Sequence, residues 1–289
     1  MKNKLSRRDF LRIIKRTVVS SFILGTGSLL YGFWGEPDWV EVNQVEILLP
    51  RLSESFKGFR IVQVSDIHIG GWMNRERLAR VVDLVKQTKP DFIVVTGDHV
   101  FGHDWSVGLD AVANDYIDEM SRLTGEYIVL GILGNHDHWT DAGKVRKMLA
   151  RCNIFELNND VFSFEKKGEY LYIAGVDDIW EKHDRLDAVL AKLPEAGAAI
   201  LLAHEPDFAD ISAETRRFDL QLSGHSHGGQ VTVPFYGPLV LPYLGEKYPS
   251  GLYKVGEMWQ YTNRGVGMIE PAVRFNCRPE ITVFTLRSL

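Results

Sequence analysis

Five short stretches carry side chains suited to holding divalent cations: Asp66-Ile67-His68, Gly97-Asp98, Gly134-Asn135-His136-Asp137, His204 and Gly224-His225-Ser226-His227. Asp66, His68, Asp98, Asn135, His204, His225 and His227 together offer four imidazoles, two carboxylates and one amide, with no thiolate. That donor set suits Mn²⁺, Zn²⁺ or Fe²⁺ and argues against copper(I) or iron-sulfur clusters. Seven donors exceed the shell of one such ion, so two ions fit if one carboxylate bridges them. Two carboxylates leave about +2 of the ions' charge uncompensated, enough to hold a hydroxide and an anionic substrate, for which phosphate is the natural choice. Read singly, each residue also suits a turn or an internally satisfied histidine. The argument for a site rests on five of them recurring in one structural context.

That context is the end of an apolar run. Residues 59–64, 92–95, 127–133, 198–202 and 220–222 read as buried strands, and each polar stretch follows one of them, where open α/β folds place their ligands. In extended chain, residues i and i+2 point the same way, so Asp66 with His68, and His225 with His227, are expected to converge. Helical periodicity marks residues 74–88, with Leu78, Val81, Val82 and Val85 on one face, and also 106–123, 141–151 and 184–193. A further strand is expected at 170–174. From Gln230 onward the chain shows strand-like runs and Pro/Gly turns with little helix.

The 289 residues are 45% hydrophobic and 25% charged, ordinary for one α/β domain with a full core. Residues 1–16 hold seven of the 33 basic side chains and one of the 38 acidic ones, leaving 26 basic against 37 acidic and a net −11 on the rest. A body this acidic disfavours nucleic acid as a partner. Cys152 and Cys277 form neither a disulfide framework nor a metal spacing. At the N-terminus, Ser6-Arg7-Arg8-Asp9-Phe10-Leu11-Arg12 precedes an uncharged run from Thr17 to Gly35. This resembles a twin-arginine export signal, with Arg12 in place of the usual lysine, and implies the twin-arginine export machinery as a partner. Nineteen helical residues nearly span a hydrocarbon core of ~30 Å, so residues 1–35 serve as a signal or as a retained membrane anchor with the body outside the cytoplasm. Residues 36–56 are expected to be a linker and the start of the domain, and 57–289 the catalytic domain.

The series Asp66-x-His68, Gly97-Asp98, Gly134-Asn135-His136-Asp137, His204 and Gly224-His225-Ser226-His227 resembles the calcineurin-like metallophosphoesterases over roughly residues 57–289. The resemblance implies an α/β fold, a four-layer α/β/β/α sandwich of two mixed sheets. It implies that Asp66, His68, Asp98 and His227 hold one ion and Asp98, Asn135, His204 and His225 the other, with His136 as the catalytic group at the leaving oxygen. The implied reaction is hydrolysis of a phosphodiester or pyrophosphate by metal-hydroxide attack. Gly228-Gly229-Gln230, Pro234-Phe235-Tyr236-Gly237-Pro238 and Asn263-Arg264-Gly265 are similar to an exported or membrane-anchored bacterial branch of that family, some of whose members are associated with UDP-2,3-diacylglucosamine. The substrate expected is therefore a phosphate-containing small molecule or lipid. A phosphomonoesterase, a phosphoprotein phosphatase and a non-catalytic metal-binding scaffold are the alternatives.

One position departs from the family. An acid often stands three residues after the bridging Asp and orients the catalytic histidine, but here it is Phe101. Asp104 or Asp137 is expected to take over. His99, His103, His138 and His183 read as ordinary polar or buried histidines, and Arg264 and Arg274 as either phosphate contacts or structural groups. The uncharged stretch from Val233 to Leu244 reads equally as a connection packed into the second sheet or as an apolar lip beside the metals.

Overall fold

In the computed structural model, residues 6–102 and 108–289 are described. The strands are β1 (Glu41–Leu48), β2 (Arg60–Val64), β3 (Phe92–Thr96), β4 (Ile128–Ile132), β5 (Phe155–Glu156), β6 (Asp160–Lys166), β7 (Glu169–Gly175), β8 (Ala198–Leu202), β9 (Leu220–Ser223), β10 (Thr232–Val233), β11 (Gly237–Pro238), β12 (Gly251–Val255), β13 (Met258–Thr262) and β14 (Glu280–Arg287). The α-helices are α1 (Arg7–Leu30), α2 (Arg75–Gln87), α3 (Leu109–Thr124), α4 (Asn135–Arg151), α5 (Leu186–Lys192) and α6 (Ala209–Glu214).

Two six-stranded mixed sheets form, in the orders β1-β14-β2-β3-β4-β5 and β12-β13-β9-β8-β7-β6. β2, β3 and β4 run parallel, as do β7, β8 and β9. Such strands are buried on both faces, which is why they appear in sequence as unbroken apolar runs. Their alternate side chains fill different layers. Ile61, Phe92, Val94, Leu130 and Ile132 meet Leu171, Ile173, Ile200, Leu202 and Leu222 between the sheets. Val62, Val64, Ile93, Val95 and Val129 face α2, α3 and α4 through Val81, Val85, Met120 and Leu149. Ala174, Ala199 and Leu201 pack on Val189 of α5 and Phe208 and Ala209 beside α6. Four layers result: helices, sheet, sheet, helices.

Several elements differ from expectation. β1 lies within residues 36–56 and pairs in parallel with β14, so this segment belongs to the first sheet. Glu36, read as linker, is buried, and its carboxylate accepts the main-chain N–H groups of Asn276 (2.8 Å) and Cys277. α4 begins at Asn135, not 141; Asp141 interrupts it with an extended φ of 178° and caps the second segment by accepting the Lys144 N–H at 3.0 Å. The chain from Thr232 to Pro238 forms a two-stranded hairpin outside both large sheets. Phe235, Tyr236, Leu239, Val240 and Tyr243 are exposed there, which excludes the reading of this stretch as packed into the second sheet.

Candidate metal centre

The C-terminal ends of β2, β3 and β4 from one sheet and β8 and β9 from the other meet at one point. Buried Gln63 crosses between the sheets, its amide donating to Thr96 Oγ1 and to the Ser223 carbonyl, each at 2.9 Å. Asp66 accepts the His225 N–H at 3.0 Å, and Asp98 accepts the His136 N–H at 2.9 Å, so each carboxylate fixes a loop that carries another donor. All seven expected donors are buried and together. Ligand atoms within 4.8 Å of one another define the groups Asp66, His68 and His227; Asp98, His204 and His225; and His68, Asp98 and His136.

The pairs do not converge as extended chain. Asp66, His68, Asp98, His225 and His227 all have left-handed backbones, with φ between 50° and 70°. For non-glycine residues this conformation costs on the order of 1 kcal/mol or more each and persists only where surroundings enforce it. Cross-loop hydrogen bonds do so here: the Asp66 N–H donates to the Gly97 carbonyl and the His68 N–H to the Asp98 carbonyl, both at 3.1 Å. The strands end before the donors, so strand periodicity no longer governs them. Two glycines admit the close approach. A Cβ on Gly134 would strike Asp98 Oδ1 and His204 Nε2, and one on Gly224 would strike Ser65 Oγ and Asp66 Oδ2.

The donor atoms are arranged for cations. His225 Nε2 lies 2.8 Å from the Tyr243 carbonyl, which claims the ring's N–H and leaves the Nδ1 lone pair facing Asn135 Oδ1 at 3.0 Å. Two acceptors facing each other at this distance form a place that a cation would satisfy. His204 Nδ1 donates to the Thr96 carbonyl at 2.7 Å, which turns Nε2 toward the Asp98 carboxylate oxygen 3.2 Å away as an ion pair. His68 Nε2 and His227 Nε2 stand 3.0 Å apart, beside Asp66 and Asp98, while His227 Nδ1 has no hydrogen-bond partner among the described residues. The residues present thus fit a pair of divalent ions.

The electrostatics agree. Burial pushes His68 and His225 down to about 3 and His227 well below its usual value, keeping all three neutral, as ligands must be. Burial, reinforced by Asp98, raises Asp66 to about 7. Burial also opposes charge on Asp98 and His204, but their mutual attraction prevails: Asp98 is held well below the carboxylate range and His204 well above the imidazole range. A cation beside Asp98 would replace the proton that His204 otherwise keeps.

His136 sits on the first turn of α4, its ring 4.6 Å from that of His68. Its Nδ1 donates to the main-chain carbonyl of Phe101. That carbonyl takes the place of the missing acid. Asp137 does not serve, because its carboxylate receives the N–H groups of His99 (2.9 Å), Val100 (3.1 Å) and Gly134 (3.0 Å), tying the turn after β3 to α4. Asp104 and His103 lie outside the described residues. His99 is satisfied by Tyr116 and the Ile132 carbonyl, and His138 bonds Asp177 at 2.8 Å while stacking on His183. Arg264 pairs with Glu280 and Glu41, and Arg274 donates to the carbonyls of Cys277, Arg264, Gly265 and Gly267. Both arginines are structural.

A cavity of about 230 Å³ opens above Asp98, Asn135, His136, His225 and His227. Trp139 and Trp180, which sequence reasoning did not single out, form its wall. Their rings meet edge to face at 5.4 Å; Trp139 lies 4.8 Å from His136, and Trp180 lies 5.5 Å from His225. The two tryptophans gave no periodic signal, since Trp139 follows His136 by three residues on α4 and Trp180 lies in the loop after β7.

Comparison with known proteins decides the family. The calcineurin-like phosphoesterase family matches residues 59–229, more than half of the chain. The chain belongs to that family. It is 35% identical over 287 residues to the uncharacterized metallophosphoesterase YkuE of Bacillus subtilis, covering 99% of each chain. It is 30% identical over 289 residues to the phosphodiesterase YaeI of Escherichia coli, covering 98% of this chain and 99% of that one. A zebrafish transmembrane protein with a metallophosphoesterase domain is 31% identical over 285 residues, which are 94% of this chain but 63% of that protein.

Proposed function

We propose that this protein is a phosphodiesterase that uses two divalent ions, held by Asp66, His68, Asp98 and His227 on one side and by Asp98, Asn135, His204 and His225 on the other. The observation that carries this reading is the facing of unprotonated donor atoms across buried gaps, His225 Nδ1 against Asn135 Oδ1 above all. Bound ions of this kind supply Lewis acidity toward a phosphoryl oxygen and a nucleophile at neutral pH. The chain's own residues do the rest. Asp98, which belongs with both groups of donors, would bridge the ions. His136, oriented through Nδ1 by the Phe101 carbonyl, presents its opposite ring nitrogen to hold or donate a proton at the leaving oxygen. Trp139 and Trp180 limit water at that side of the cavity.

The likeness to the Escherichia coli phosphodiesterase YaeI over nearly the whole of both chains supports a diester over a monoester. α1 supports location at a membrane: one helical stretch, Phe10–Gly35, is long and apolar enough to cross a bilayer, and its apolar 18-residue window is not packed inside the protein. In this reading the twin arginines Arg7 and Arg8 direct export and the body works outside the cytoplasm.

Elemental analysis of protein prepared with Mn²⁺ or Zn²⁺, paired with assays on phosphomonoesters and phosphodiesters, tests the activity. Close to two ions per chain and preferential diester hydrolysis are expected. One ion or none in a folded chain overturns the two-ion site, and bound ions without hydrolysis favour the scaffold. Arg7→Lys with Arg8→Lys should leave folded, active protein in the cytoplasm, and unchanged export overturns the signal.

A further inference from the structure

A second cavity of about 380 Å³ adjoins the metal centre, within the range of ligand sites. Its walls are mostly apolar: Val231, Leu239, Val240, Leu241, Pro242, Ile269 and Val273. It shares His225, His227, Pro242, Ile269 and Glu270 with the metal cavity, so the two form one continuous groove. Gln230 staples its two sides together: its amide nitrogen donates to the Ile269 carbonyl at 3.1 Å, and its oxygen accepts the Ile269 N–H at 2.7 Å. At the rim, Tyr236, Leu239 and Val240 expose 77%, 55% and 76% of their surface and Phe235 is fully exposed, with no charged residue from Val231 to Leu244. Among the described residues nothing covers this contiguous apolar rim.

The apolar N-terminal helix reaches this same groove. Gly32, just beyond α1, approaches Val273, a groove wall, and its carbonyl accepts the Arg274 N–H at 3.0 Å. A Cβ on Gly32 would sit 3.2 Å from Val273 Cγ2, and Tyr31 packs edge-on against Phe275. Phe33 and Trp34 are exposed at that junction, the side-chain types that settle at a bilayer interface. The bilayer-length helix, its interfacial aromatics and the groove mouth are thus joined through one loop, residues 273–275.

We infer that the groove is a binding site for the acyl chain of a bilayer lipid, and that it seats the apolar part of an amphiphilic phosphodiester whose phosphate lies at the metal centre. The rim residues Phe235, Tyr236, Leu239 and Val240 dip into the membrane interface around the groove mouth. The inference rests on the phosphodiesterase reading for its reaction but not for its binding site. Each methylene the groove buries strengthens binding about fourfold, so preference for long chains is the signature.

The test uses the full-length chain in lipid nanodiscs, wild type and the exposed-rim variant Leu239→Glu with Val240→Glu. A phosphatidylcholine bearing a photoactivatable diazirine on its acyl chain should label peptides containing residues 231–242 and 269–273 in the wild type and lose that labelling at least tenfold in the variant. Labelling confined to α1 overturns the site, whatever the enzyme's activity. Alkyl p-nitrophenyl phosphodiesters of four, eight and twelve carbons supply the kinetic arm, with kcat/KM taken as a wild-type to variant ratio so that partition into the bilayer cancels. The ratio should stay within twofold at four carbons and exceed tenfold at twelve. A ratio that does not change with length overturns the inference while leaving the phosphodiesterase standing. If neither protein hydrolyses any ester, the activity fails and the labelling alone decides the groove. The variant Gln230→Ala, which leaves the rim unchanged, should reproduce the length dependence in weaker form. Sedimentation showing a dimer that the rim variant dissociates would make the patch a contact between copies, and overturn the lipid site.

Discussion

Around Asp98 the chain has no slack: a single added Cβ on Gly134 or Gly224 strikes a donor atom, and five donor residues hold left-handed backbones. Along the adjoining groove, Tyr236 and Val240 give more than three quarters of their surface to solvent, and the Thr232–Pro238 hairpin joins neither large sheet, being held to the body by main-chain bonds to Phe275. The metal centre is built by two sheets and dense hydrogen bonding, which fix angles. The groove is built by turns and one glutamine staple, and fixes only polarity. That difference fits their proposed tasks, since cations demand set geometry and an acyl chain demands little beyond an apolar wall.

Substitutions can break or sharpen this contrast. The largest effect is expected from Asp98→Asn, which removes the carboxylate between both donor groups: hydrolysis should fall by ~10³-fold or more, with metal content reduced and lipid labelling of the groove unchanged. Next, His136→Ala should lower kcat by about 10²–10⁴-fold while elemental analysis finds the ions retained. Emptied metal sites in that variant would make His136 a ligand. Gly224→Ala, which presses on Asp66, should weaken metal affinity about 10–100-fold, as disturbed supporting contacts do.

Glu280→Gln probes the scaffold behind the site. Burial opposes charge on Glu280, but Arg264 and the hydroxyls of Tyr261 and Thr282 hold its carboxyl below the usual range. A depressed folded value means that its contribution is present above the unfolded pKa of ~4.3 and is lost as pH falls through the lower folded one. The melting-temperature gap between wild type and variant should therefore be widest near neutral pH, corresponding to about 2 kcal/mol, and close in acid. A gap independent of pH would show that shape and not charge matters there. The smallest effect belongs to Phe235→Ser, whose fully exposed ring should change folding stability by less than about 0.5 kcal/mol in a thermal melt.

The donors were legible because each follows an apolar run, and buried parallel strands announce themselves by such runs. The groups that orient them were not. Thr96, Tyr243 and Phe101 act through main-chain carbonyls, which have no residue identity to read. The expected extended geometry of Asp66 and His68 was wrong because the strand stops at Val64 and cross-loop hydrogen bonds then dictate φ. β1 escaped notice because its side chains are only partly buried, and its partner strand β14 lies more than 230 residues away. Gln230 stood in a recognisable string, but its role depends on a loop forty residues later. The acyl groove exists only once those two stretches meet.

The seam between α1 and the body has a mechanical consequence. A flexible tether of a dozen residues would let a catalytic body wander tens of ångströms above its membrane. Here Gly32 is buried, the Arg274 N–H holds its carbonyl, and Glu36 grips the main chain at Asn276 and Cys277, so no free tether separates helix from enzyme. A body clamped this way to a helix of bilayer length would keep one height and one tilt if that helix stood in a membrane. Substrate held in the same plane would then arrive by lateral diffusion, and the rate would follow its surface density and not its concentration in bulk solution.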